Sequence, residues 1–278
     1  MTAVADHTDT DTGLFGPHSV TWRVHLEPVL FVGGLRALIL QALHPWVMLG
    51  TYQNSALFDP PKAWARFLRT AEFVGIRTYG TTAEVEAATR RVRGLHAKLK
   101  GRDPATGRPF RLDDPQYLLW VHCGEIDSYV DVAVRAGVLD DDTADRYVAE
   151  SARAAEVVGA AEAPRSRAEL AAYFAEVRPR LRLTDEAITA TTNLMTARLP
   201  APVAVKLTQP PVAALAFATL PRWARRMYGS PGLPTTDLSA TLALKAFRAA
   251  VARIPGPPEP PLMERARRLM VAAGTLPG

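Results

Sequence analysis

Residues 81–100 carry the histidine that says most about possible chemistry. The segment TTAEVEAATRRVRGLHAKLK is predicted to form an amphipathic helix, because Thr81 and Glu84 form a capping-box start signal. His96 lies at the edge of the inward stripe, so its ring can point into the protein. An unpaired buried imidazole is costly, so we expect a backbone carbonyl, another side chain or a metal as its partner. The stripe itself comprises Val85, Ala88, Val92, Leu95 and Leu99.

Two further histidines could take part. His44 precedes a proline at a predicted helix end, and His122 lies in the apolar segment LLWVHCGEIDS, followed by the polar pair Asp127 and Ser128. Such residues more often serve as hydrogen-bonded core groups or helix-to-helix contacts than as ligands. The sequence contains no HExxH or paired Glu-x-x-His pattern, so a bound metal would need to accept a single protein ligand. Haem meets that condition, because the porphyrin supplies four nitrogens.

A second predicted helix, over residues 61–79, carries a polar stripe beside its apolar one. The polar stripe recurs at steps of three and four residues and comprises Arg66, Arg69, Thr70, Phe73 and Arg77. The spacing alone favours a solvated basic face. The alternative is a pocket wall, in which arginines bind carboxylates and the threonine hydroxyl binds an oxygen ligand. The aromatic residue Phe73 within the stripe favours the pocket.

The composition indicates a protein with a substantial core. The 278 residues are 48% hydrophobic and 22% charged, and the net charge of +5 is spread along helices, which argues against nucleic-acid binding. The single cysteine, Cys123, excludes an internal disulfide and a CxxC zinc site. Residues 1–12 are polar and predicted to be a disordered tail without a secretion signal. Arg36, Gln41 and His44-Pro45 interrupt the apolar residues 31–50, so we predict a buried helix and no stable membrane span. Since we see no secretion signal, we predict a cytoplasmic location.

Helical periodicity dominates the chain and predicts an all-α fold. Residues 101–115 and the proline-rich stretches LPAP, QPP, GSPGLP and IPGPPEPP are predicted to be loops. We see no repeat and no boundary within residues 13–278, so these are predicted to form one large helical domain whose C-terminal third wraps the core. The predicted helices cover residues 31–43, 61–79, 81–100, 115–137, 140–160, 166–177, 184–197, 212–228, 236–253 and 261–273.

Three ordered segments together resemble the MpaB / latex-clearing-protein oxygenase family. They are FGPHSVTWRVHLEPVLFVGGLRALILQALHP, RFLRTAEFVGIRTYGTTAEVEAATRRVRGLHAKLKG and DPQYLLWVHCGEIDSYV. The resemblance covers about residues 13–220, and it implies a globin-like helical core holding haem b. It also implies that His96, in a basic helix, is the axial ligand of the iron, with His122 and then His44 as alternatives.

The resemblance further implies a distal side formed by Arg66, Arg69 and Thr70. Rubber-cleaving members have a lysine at the position of Arg69. Arginine stays protonated and is therefore a poor base, which argues against rubber-type cleavage. It could instead orient dioxygen, a substrate carboxylate or a haem propionate.

The implied site has catalytic and cofactor-binding parts. Arg66, Arg69 and Thr70 are the predicted catalytic residues, and the predicted cofactor contacts are His96, Arg66, Arg77, His122 and Ser128. The predicted reaction is oxygenation or oxidative dehydrogenation of a small to medium apolar metabolite, with dioxygen or peroxide as oxidant. Two other hypotheses are a haem-binding sensor or carrier without turnover, and a haem-free helical binding protein.

Overall fold

The computed structural model describes residues 11–55, 60–196, 203–253 and 259–277. Helices account for nearly all of their regular structure, so the all-α prediction is confirmed. A short antiparallel hairpin, β1 (Lys100–Arg102) with β2 (Pro109–Arg111), lies within the predicted loop at residues 101–115. The helices are α1 (Val20–His25), α2 (Leu30–Gln41), α3 (Pro45–Asn54), α4 (Pro60–Tyr79), α5 (Thr82–His96), α6 (Pro115–Arg135), α7 (Asp141–Val158), α8 (Arg167–Val177), α9 (Asp185–Met195), α10 (Val203–Ala218), α11 (Arg222–Met227), α12 (Thr236–Val251) and α13 (Pro261–Ala272).

The centre of the core is the packing of α2 against α6. Glycines permit a close approach: a Cβ at Gly33 would lie 2.8 Å from Tyr129 Cδ1, and one at Gly124 would lie 2.9 Å from Gln41 Cγ. Both distances are shorter than real Cβ contacts, so larger side chains at these positions would push the helices apart. The aliphatic and aromatic residues that fill this interface include Leu35, Ile39, Leu40, Trp120, Cys123 and Ile126.

Three sequence predictions about helices and their linkers were wrong. The QPP stretch lies inside α10, where Pro210 and Pro211 each remove a helical N–H donor. The helix nevertheless continues, since Ala213 and Ala216 are fully buried against the core. The predicted helix at residues 212–228 is therefore two helices, α10 and α11. Leu95, assigned to the buried stripe of α5, is 51% exposed.

The ends and linkers fall partly outside the described residues. The segments outside them are most of the predicted tail, all of LPAP and most of IPGPPEPP. Asp11 and Thr12 of the predicted tail are described, and Asp11 accepts hydrogen bonds from the N–H and hydroxyl of Thr82 at the start of α5. The α1 and α3 helices were not predicted from periodicity, since α1 is only six residues long and α3 carries little amphipathic pattern.

Within the described residues no single helix is long and apolar enough to cross a membrane, and one bent pair, Leu30–Gln41 with Pro45–Asn54, meets the requirement by length and composition alone.

Candidate functional site

A hairpin formed by α4 and α5 carries most of the predicted site residues. The predicted capping box is present at the turn: Thr81 N donates to Glu84 Oε2 at 2.8 Å, and Glu84 N donates to Thr81 Oγ1 at 3.3 Å. Asp11 Oδ2 accepts from Thr82 N at 2.9 Å. These acceptors satisfy N–H groups that the first turn of a helix leaves without partners. The start of α5 is therefore held firmly beside the end of α4.

His96 is the last residue of α5 and lies at the far end of the hairpin from the turn. Its ring is half-buried, and Nδ1 is shielded from solvent without a hydrogen-bond partner in the described part of the chain. Burial lowers the pKa of His96, the charge of Arg66 lowers it further, and Asp113 acts in the opposite direction. The imidazole is therefore neutral at pH 7, which is the form that binds a metal ion.

Arg66 on α4 lies close enough to His96 for its charge to lower the pKa of that imidazole. Arg66 Nη1 donates to Thr70 Oγ1, and the Thr70 hydroxyl donates to the Arg66 carbonyl oxygen at 3.2 Å. Burial lowers the pKa of Arg66, and the neighbouring charge of Arg69 lowers it further. Arg69 and Thr70 are exposed. The structure thus groups the three predicted distal residues on one side of α4 and brings Arg66 toward His96.

Apolar side chains are exposed on the same hairpin and on α2. Leu68 is 47% exposed, and Phe31 is 42% exposed. Phe31 meets Phe67 edge-on at a centroid distance of 6.4 Å, and Phe67 stacks on Trp64 at 5.6 Å. Exposed apolar groups beside a few charged residues are typical of a ligand or cofactor site.

His122 belongs to a buried polar cluster with Arg77 and Glu125. Arg77 Nη2 donates to Glu125 Oε1 at 2.5 Å, and His122 is only 5% exposed. Among the described residues, Arg77 Nε and His122 Nδ1 have no hydrogen-bond partner. Burial lowers the pKa of His122 to about 4, with Glu125 opposing and Arg77 adding to the effect. Two predicted cofactor contacts, Arg77 and His122, therefore lie around Glu125.

Sequence reasoning did not single out Glu125. The sequence did contain a signal for Glu125: it is a carboxylate in an otherwise apolar helix, three residues after His122. Such a group is rarely buried without a cationic partner. The partner, Arg77, is on another helix, and no local spacing in the sequence indicates the pairing.

Asp127 and Ser128 take part in a different contact, with the buried Arg36. Arg36 Nη1 donates to Asp127 Oδ2 at 2.8 Å and to Ser128 Oγ at 2.7 Å, and Arg36 Nε donates to the Thr219 carbonyl oxygen at 3.1 Å. This network ties α2 and α6 to the residue following α10. The arrangement matches helix-to-helix hydrogen bonding. The structure does not bring Ser128, a predicted cofactor contact, to the His96 group.

His44, the third candidate ligand, caps α3. Its Nδ1 accepts a hydrogen bond from Val47 N at 3.3 Å, and its ring packs on Tyr117 and Trp120 with centroid distances of 5.3 and 5.7 Å. The capping role occupies one ring nitrogen of His44. Of the three candidate ligands, His96 and His122 have an Nδ1 without a hydrogen-bond partner among the described residues.

The lowered pKa of His122 predicts that the folded chain loses stability in acid. Its pKa is about 4 in the folded chain against 6.5 as the ordinary value, so the unfolded chain binds more protons between these pH values. The contribution of neutral His122 to the unfolding free energy is complete above pH 6.5 and is lost as the pH falls toward 4. The difference amounts to about 3 kcal/mol. We expect His122→Gln to flatten the fall in unfolding free energy between pH 7 and pH 4.5, measured by urea denaturation. His18→Gln, at an exposed histidine, should leave the fall unchanged, and an unaltered slope in His122→Gln would contradict the assignment.

The comparison with protein families gives a match over most of the chain. The family described as ER-bound oxygenase mpaB/B'/Rubber oxygenase, catalytic domain, matches residues 22–254, which include α2 to α12 and all of the predicted site residues. No curated protein and no solved structure matches the chain. Since the match spans most of the chain, the protein belongs to the mpaB/rubber oxygenase family and is an oxygenase-type oxidoreductase.

Proposed function

We propose that this oxygenase depends on haem b and that His96 is the axial ligand of the iron. The observation that carries the proposal is the unpaired, solvent-shielded Nδ1 of a neutral imidazole beside Arg66. A buried polar atom without a partner costs free energy in the folded state, which a ligand bond would recover. No three His, Cys, Asp or Glu side chains of the described residues are grouped to hold a metal ion. A porphyrin needs only one such side chain from the protein.

Residues of α2 and of the α4–α5 hairpin suit this cofactor in their chemistry. Phe31, Phe67 and Leu68 offer apolar surface to a macrocycle, and Arg66 and Arg69 offer cations to its carboxylates or to an oxygen ligand. When bound, haem would supply the oxidation of substrate by dioxygen or peroxide. We propose a small to medium apolar molecule as substrate, because the exposed side chains near the hairpin are aliphatic and aromatic.

The chain's own contribution is electrostatic and positional. Thr70 holds the Arg66 guanidinium by a hydrogen bond, so little reorganisation is needed when negative charge develops on an oxygen nearby. Arg66 remains a cation at neutral pH although burial lowers its pKa. His96 is neutral at this pH and would supply the imidazole that holds the iron.

The proposal predicts stoichiometric haem. Protein expressed with ample haem supply should contain about one iron per chain and show an intense Soret band, measured by the pyridine haemochrome assay. A colourless protein after reconstitution with haem would contradict the proposal and favour a haem-free binding protein.

We predict that replacing Arg66 lowers turnover without lowering the haem content. We expect Arg66→Gln to keep the haem content and to lower the rate of peroxide-dependent guaiacol oxidation about a hundredfold, since it removes a preorganised charge. Arg91→Gln removes the same charge from an exposed position on α5 and should leave the rate unchanged. Equal rates in Arg66→Gln and the parent protein would assign Arg66 to a solvated face.

A further inference from the structure

A cleft lies along α5, from Thr82 at the turn of the hairpin to Arg93 in the last turn of the helix. Its volume is about 490 Å³, within the range of small-molecule sites. The walls come from α5, from the end of α7 and from the N-terminal segment, and the exposed lining is mainly apolar. They include Leu14, Val85, Thr89, Arg90, Arg93 and Val157. None of these residues takes part in the proposed haem site.

Two polar side chains of this lining have no partner among the described residues. Thr89 is 8% exposed, and its Oγ1 is turned away from solvent without a hydrogen bond. Arg93 follows one turn later on the same face and makes no ion pair or side-chain hydrogen bond within the described chain. Its guanidinium packs on Gly159, where a Cβ would lie 3.5 Å from Arg93 Cζ. Gly159 ends α7, so the carbonyl groups of that helix end favour the cation at this place.

The cleft therefore has an apolar part and a cationic end. Val85, Thr89 and Arg93 recur every four residues, which places them in one row along α5. Threonine in a helix populates two χ1 rotamers, so a single rotation can exchange Oγ1 with the methyl group. An anion at Arg93 would then give the hydroxyl an acceptor, which removes the cost of leaving it unpaired.

We propose that this cleft binds an amphipathic monocarboxylate, with its carboxylate on Arg93 and Thr89 and its chain along Val85, Leu14 and Val157. A single negative charge suits the site, because the second arginine, Arg90, is already paired with Glu86 at 3.4 Å. A more highly charged anion would meet the repulsion of Glu86. The apolar lining requires a hydrocarbon chain in addition to the acid group. The proposal stands independently of haem binding.

The test uses octanoate as the probe and 1-octanol as its uncharged counterpart, with binding measured by isothermal titration calorimetry on the full chain. We expect one octanoate per chain and at least tenfold weaker binding of 1-octanol. Arg93→Gln and Thr89→Val should each weaken octanoate binding tenfold or more, because each removes a hydrogen bond to a charged group. Arg91→Gln, an equal charge change on the exposed side of α5, should not weaken it.

Thr89→Val also has a readout that needs no ligand. Removing an unpaired buried hydroxyl should leave the unfolding free energy equal or higher, whereas removing a hidden structural hydrogen bond should lower it. Octanoate affinity that is unchanged in both Arg93→Gln and Thr89→Val would place the binding elsewhere and overturn the proposal. Equal losses in Arg93→Gln and Arg91→Gln would show a non-specific charge effect and also overturn it.

Discussion

Replacing His96 by alanine is expected to abolish the Soret band of haem-reconstituted protein, while the far-UV circular dichroism stays helical. The physical reason is that a porphyrin supplies only four of the iron's ligands, and His96 is the proposed fifth. The ring is half-buried at the end of α5, so the truncation removes few core contacts. We expect the loss of at least nine-tenths of the bound haem after gel filtration, measured by the pyridine haemochrome assay.

Two matched histidine variants make this result interpretable. His18→Ala changes an exposed histidine outside the site and should retain full haem content. His122→Ala removes the other imidazole whose Nδ1 is unpaired among the described residues, and it should also retain the haem. The opposite pattern, with haem lost in His122→Ala and retained in His96→Ala, would move the ligand into the cluster around Glu125. Haem that survives both changes would exclude both residues as the ligand.

Local signals in the sequence predicted the hairpin that carries the site. Thr81 and Glu84 start α5 with the predicted capping box, and Gly80 follows the last residue of α4. Both features depend on residues three or four positions apart, so they can be read from one stretch of chain. The side chains at the open end of the hairpin could not be placed in the same way. Leu95 fits the apolar spacing of α5 and is nevertheless 51% exposed, because the described part of the chain leaves about half of its surface uncovered.

Contacts between distant segments account for the other differences. The sequence identified His122, Asp127 and Ser128 as polar residues of one apolar helix, but their spacing cannot say which partners they have. The structure divides them: Asp127 and Ser128 bind Arg36, while His122 lies near Arg77 and Glu125. Arg36 was noted only as an interruption of an apolar segment. A buried arginine demands carboxylates or carbonyl oxygens, but only the three-dimensional packing of α2 on α6 determines which ones.

Breaking the buried pair of Arg77 and Glu125 should have the largest effect on stability. Their side chains are 7% and 13% exposed, and Nη2 and Oε1 are 2.5 Å apart. Burial acts to raise the pKa of Glu125, but the charge and hydrogen bond of Arg77 hold it below its ordinary value, so Glu125 is ionised at neutral pH. We expect Glu125→Gln to lower the unfolding free energy of haem-free protein by about 3–5 kcal/mol, since it leaves a buried guanidinium without a counter-charge. Guanidinium chloride denaturation measures the change.

The double variant separates the pair's interaction from the cost of burying each charge. Arg77→Met with Glu125→Gln should be about as stable as Glu125→Gln alone or more stable, because the uncompensated charge is gone. Glu86→Gln, at the exposed pair with Arg90, should change stability by less than about 1 kcal/mol. A similarly small effect of Glu125→Gln would mean that Arg77 already has another anionic partner or contacts water. Repeating the measurement on haem-bound protein tests separately whether a cofactor carboxylate can replace Glu125 as the partner of Arg77, because haem should in that case reduce the cost of Glu125→Gln.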